Sequence, residues 1–209
     1  MEKKPLATNT SVLSVMEKLK LETKANHTQT EQVSNMKRLF ATDYSLAEYQ
    51  QHLEKMYGYL TGVESALQQA LDDELRTVMQ ARSRRAWLKQ DLVNFGLTDE
   101  QISALPVCSA PAYINSLPHS LGAYYVLEGS SLGGQVICKH LSQHFGEAVT
   151  DKLHFYQGHG EQTRGHWQQF AELINTRFPD ASQPEAAEMV NAAQLTFDSI
   201  ADWLKTSSV

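Results

Sequence analysis

Between Leu121 and Leu141 the chain has the apolar spacing of a buried helix, and inside that run it carries four glycines: Gly122, Gly129, Gly133 and Gly134. An interior glycine weakens a helix by about 1 kcal/mol relative to alanine, so packing or function must offset several near the middle. Gly129 and Gly133 are one turn apart and Gly122 lies two turns before Gly129, which sets all three on one face as a strip of bare backbone. Spacing alone allows two readings. Either a neighbouring helix packs closely on the strip, or bends it at the glycine pair, or a flat, bulky ligand lies against it.

A second stretch, Leu19 to Glu31, is helical in period but polar on the face a core helix would bury. Lys20, Lys24, His27 and Glu31 advance by four, three and four positions and share that face, with Thr23 beside it. A neutral imidazole is a ready metal ligand, and lysines answer carboxylates at a ligand's rim. On its own, a helical histidine is more often a surface residue or a satisfied core residue.

Together the two stretches resemble the heme oxygenase family. Leu19 to Glu31 is similar to the family's proximal-helix pattern L-K/R-x-x-T-x-x-x-H-x-x-x-E, with His27 in the place of the heme-ligating histidine. Gly129, Gly133, Gly134, Gln135 and Val136 are similar to the G-x-x-x-G-G-Q-V core of its kinked distal helix. The resemblance implies a single-domain, all-α helical bundle that cleaves heme with O2 to biliverdin, carbon monoxide and ferrous iron. Heme would be cofactor and substrate at once, with electrons from an external reductase of the ferredoxin or flavodoxin type. The resemblance further implies His27 as the proximal iron ligand, Glu31 on its other ring nitrogen, and Lys20 and Tyr124 as propionate partners. Gly129, Gly133 and Gly134 would crowd the distal face.

One position departs from the family pattern. Animal-type members follow the first distal glycine with an aspartate that organises a proton-carrying water chain, and here the residue is Ser130. The pair Ser130-Ser131 is similar instead to the bacteriophytochrome-associated and related bacterial branches. A hydroxyl can still hold a water in place.

Composition narrows the alternatives. A chain of 209 residues with 42% hydrophobic content supports one well-buried core, expected over residues 11–209 behind a polar, proline-containing tail at 1–10. A net charge of -6 argues against nucleic acid. No stretch has signal-peptide character or membrane-spanning length, which makes a cytoplasmic monomer the default expectation. Cys108 and Cys138 fall in no zinc or disulfide spacing. A non-catalytic heme- or biliverdin-binding protein of the same fold is the second reading. A thiaminase-II-like hydrolase would need Cys138 as nucleophile, and a ferritin-like di-iron site would need paired Glu-x-x-His motifs, which the chain lacks.

The remaining punctuation is helical. Residues 11–40 read as a helix with a break after Glu31. Ser45-x-x-Glu48 reads as a capping box opening a long helix whose stripe runs from Leu46 to Leu71, and Thr98-x-x-Gln101 opens a short one that Pro106 stops. The glycine helix should run from about Ser116 or Pro118 to Phe145. Ser182-x-Pro-Glu185 opens a last helix with Ala187, Val190, Leu195, Phe197, Ile200 and Trp203 as its apolar contacts. His52 receives no role, and His154, His159 and His166 fall in and after a loop without ligand spacing. The run Arg82, Arg84, Arg85 and Lys89 reads as a solvated face or as a docking patch for an acidic electron-transfer protein. No segment alternates with period two, so no sheet is expected.

Overall fold

Small polar residues take up free N–H groups in the first turns of five helices of this computed structural model, which describes residues 13–33 and 36–205. The tail at 1–10 lies outside the described residues. Ser14 pairs with Glu17 to open α1 (Val15–Glu22), and α2 follows at Lys24–Val33. The box formed by Ser45 and Glu48 opens α3 (Leu46–Ala70), and Asp72 accepts the Leu75 N–H to open α4 (Asp73–Arg82). α5 spans Arg85–Asn94, and the box formed by Thr98 and Gln101 opens α6 (Asp99–Ser103). Ser116 caps α7 (Leu117–Phe145), which stays α-helical through its glycines and ends at Gly146 with φ 59°. A four-residue α8 (His154–Gln157), then α9 (Thr163–Arg177) and α10 (Pro184–Lys205) complete the chain. The class is all-α, as expected, with no strand among the described residues.

The first helical segment differs from its expectation. It breaks at Thr23, whose hydroxyl donates to the Leu19 carbonyl at 2.7 Å and so competes with the helix backbone. Backbone bonds from Thr23 to Leu19 (3.0 Å) and from His27 to Thr23 (2.9 Å) still carry the register across. α2 ends at Val33, and a 3₁₀ turn follows at Lys37–Phe40.

One continuous core runs from Val15 to Leu204. α10 is its floor, lying along α7 and also touching α1, α2 and α3. The α7–α10 approach is close because both helices are small there: a Cβ on Gly122 would come 2.1 Å from the Met189 carbonyl oxygen and 3.0 Å from the Ala192 Cβ. For the same reason the buried contacts of α10 include Ala186, Met189, Ala192 and Ala193, whereas Ala187 and Leu195, expected in the core, are exposed. No helix of the described residues is long and apolar enough to cross a membrane.

Candidate functional site

α2 and α7 both rest on α10. From α2, Thr30 donates to the Phe197 carbonyl at 3.0 Å, Asn26 donates to Asp198 at 3.1 Å, and the His27 ring stands edge-on to Phe197 at 5.5 Å. From α7, the Tyr125 hydroxyl reaches buried Thr23 at the α1–α2 junction. Beyond that contact α2 and α7 both carry residues that are open to solvent. The His27 side chain is 57% exposed on one side, and Leu132 (40%) and Val136 (63%) are exposed on the other.

The candidate site is the space between these two exposed flanks. On the α7 flank, a Cβ on Gly133 would meet none of the described residues within 4 Å, and one on Gly129 would meet only the Trp167 ring, at 3.4 Å. The exposed Phe40 ring lies 4.9 Å from that of His140, whose buried Nε2 has no hydrogen-bond partner among the described residues. On the α2 side, His27 Nδ1 lies 3.7 Å from Glu31 Oε2, too long for a hydrogen bond. Lys20 is exposed one helical face-repeat before His27. An exposed imidazole on α2, and bare backbone with exposed apolar side chains on α7, are features that a flat, mostly apolar ligand with a metal at its centre would use.

Other expected site residues are placed differently. Gly134 is buried against α8, where its Cβ would come 3.0 Å from the Tyr156 carbonyl oxygen, so it serves helix packing and not the cleft. Gly122, too, faces α10. Tyr124 does not reach the cleft: it is buried edge-on to Phe170 at 5.2 Å, and Tyr125 is the tyrosine on the α2 side. Tyr124 lines a cavity of about 20 Å³ with Glu64, Arg82, Ser83, Arg84 and Glu128, and its buried hydroxyl finds no partner among the described residues. That volume holds about one water.

The basic run corrects the docking-patch expectation. Arg82 turns inward to Glu128 at 3.0 Å, the His166 carbonyl at 3.0 Å and Gln169 at 2.8 Å. Arg84 is buried, donating to the Leu127 carbonyl at 3.0 Å and to Ser130 Oγ at 2.6 Å with its guanidinium carbon 4.8 Å above Phe155. Arg85 lies 3.8 Å from buried Glu64, and Lys89 pairs with Asp99 at 2.8 Å. Burial raises the Glu64 pKa, opposed by hydrogen bonds from Ser83 and by the nearby arginines. Two carboxylates, Glu64 and Glu128, in otherwise apolar helix faces are the signal that calls these arginines inside.

The histidines divide by partner. His52 is buried with Nε2 2.5 Å from the Tyr156 hydroxyl. His154 Nδ1 lies 2.7 Å from Asp91, which also accepts the His154 and Phe155 N–H groups and so caps α8. The His159 and His166 rings sit 4.3 Å apart. Among the described residues no three His, Cys, Asp or Glu side chains are grouped to hold a metal ion. Burial pushes the Cys138 thiol up, and Asp91 adds to the shift, the opposite of what a cysteine nucleophile needs.

The described helices form an all-α domain in which a histidine-bearing helix and a glycine-bearing one both pack on α10. Residues 13–206 match the family model for heme oxygenase. The chain belongs to the heme oxygenase family. It is 29% identical over 150 residues to a heme oxygenase of Xanthomonas campestris pv. campestris (strain 8004), an alignment covering 71% of this chain and 84% of that one. Its fold is similar to that of the heme oxygenase from Neisseria meningitidis seen in NO- and CO-bound crystal structures. That likeness has a TM-score of 0.70 at 20% identity and covers 92% of this chain and 91% of the other.

Proposed function

We propose that the protein binds heme in the α2–α7 cleft through His27 and degrades it with dioxygen to biliverdin, carbon monoxide and ferrous iron. The observation that carries this reading is the open flank of α7: Gly133 has free space where a side chain would stand, between exposed Leu132 and Val136. Bound heme would supply the iron that activates dioxygen, with electrons delivered by an external donor of the ferredoxin or flavodoxin type. His27 Nε2 would ligate the iron as a neutral imidazole, and Glu31 would hold the proton on Nδ1 and orient the ring. Lys20 would meet a propionate at the rim. Leu132, Val136, Phe40 and Phe197 would exclude water from the porphyrin faces, and the backbone at Gly129 and Gly133 would limit the room above the ring. Ser130 would hold a water on the distal side.

Hemin titrated into the purified protein should give a Soret band. Reduction by ascorbate or a ferredoxin reductase system, with catalase present, should then replace that band with biliverdin absorption. His27→Ala should abolish that turnover. A Soret complex that survives both reductants would make the protein a heme carrier, and the absence of any complex would remove the heme reading.

A further inference from the structure

Ser130 is exposed on α7 beside Gly129, with most of its hydrogen-bonding capacity committed. A hydroxyl has one proton and two lone pairs, whereas a guanidinium only donates and keeps its protons. The 2.6 Å contact between Arg84 Nη2 and Ser130 Oγ therefore fixes the serine as acceptor, and the Ser130 proton is directed to the Leu127 carbonyl at 2.7 Å. One lone pair remains, on an exposed residue.

Arg84 is itself held in place. It is buried over Phe155, and the direct ion pairs of Glu128 and Glu64 go to Arg82 and Arg85, which leaves its Nη2 protons for Leu127 and Ser130. The charged and titratable groups around it are Glu64 from α3, Arg82 from α4, Tyr124 and Glu128 from α7, Tyr156 from α8 and His159 from the following loop.

Building on the heme reading above, the geometry points to Arg84 as the positioning residue that fixes Ser130 as an acceptor at the distal side. The proton delivered into the cleft then comes from a water that donates one hydrogen to Ser130 Oγ and the other toward the ligand, not from the serine hydroxyl. The hydroxide left behind regains its proton from solvent at the open edge. A charge-assisted bond makes the Ser130 anchor rigid.

The test is a cycle of Arg84→Met, Ser130→Ala and the double variant, with Arg84→Lys as the conservative control. The readouts are hemin affinity by Soret titration, the pH midpoint of the visible spectrum of the ferric complex, and the rate of biliverdin formation. Arg84→Met should leave hemin affinity within about twofold, raise the midpoint by about one pH unit and slow turnover about tenfold. Arg84→Lys should restore most of both, and Arg84→Met should add no further shift in the Ser130→Ala background. An equal shift with and without Ser130, or none in either, would overturn the assignment. If Arg84→Met does not fold, Arg84→Lys completes the same cycle against Ser130→Ala, with a smaller shift that must again vanish without Ser130. A wild-type protein that takes up no hemin fails the functional reading first, and this assignment with it.

Discussion

The two halves of α7 use glycine for opposite purposes. Every residue from Leu121 to Glu128 is buried, and Gly122 is required because the Met189 carbonyl fills the place of its side chain. From Gly129, against which Trp167 lies, one flank opens, and none of the described residues occupies the space beside Gly133. Helix propensity penalises both glycines alike, by about 1 kcal/mol each. Close packing on α10 offsets the first. No contact among the described residues offsets the second, and under the proposed function that space is left for a ligand.

The packed half gives the largest expected effect. In Gly122→Ala the new Cβ would lie 2.1 Å from the Met189 carbonyl oxygen and 2.9 Å from its carbon, so α7 and α10 must separate. We expect a loss of about 3 kcal/mol in urea unfolding, after the propensity gain is set against overpacking. A loss under about 0.5 kcal/mol would erase the distinction between the halves.

The closed flank of α7 should also respond to pH through His52. Tyr156 packs its carbonyl on Gly134 and bonds His52 through its hydroxyl. Burial, with the Lys55 charge adding to it, holds the His52 pKa down to about 4. An unfolded imidazole takes its proton near pH 6.5 and the folded one only near 4, so the stability present above pH 6.5 is lost as pH falls between those values. At about pH 5 the loss is roughly 2 kcal/mol. His52→Gln keeps a side-chain acceptor for Tyr156, and between about pH 7.5 and 5 it should lose roughly 2 kcal/mol less than the wild type. Parallel pH profiles would assign the effect to another group.

Much of the fold was legible because its signals are local. Ser45 with Glu48, Thr98 with Gln101, Ser116 and Gly146 mark helix ends through bonds made within a few residues, and each lies where the sequence put it. What escaped depends on partners far along the chain. Thr23 breaks the first helix in a setting completed by Tyr125, and the inward turn of Arg82 and Arg84 follows from carboxylates and carbonyls on α3 and α7. Spacing placed Gly122, Gly129 and Gly133 on one strip, but which side of that strip a neighbour would cover was decided by α10, which ordinary helix periodicity cannot report. Tyr124 and Tyr125 show the same limit: neighbouring tyrosines point about 100° apart, and only the packing decides which one meets α2.

Gly133→Ala carries the smallest expected effect on stability and bears most directly on the comparison. The added methyl would meet nothing within 4 Å in the protein alone, so only the helix-propensity term remains. Unfolding free energy should rise by about 0.5–1 kcal/mol. The same methyl would stand in the cleft and take room the proposed heme needs, so hemin affinity or turnover should fall while stability rises. Those opposite signs are the mark of a position kept open for a ligand. If stability and hemin binding both improved, the open flank would be spare surface, and the glycine would need an explanation outside the cleft.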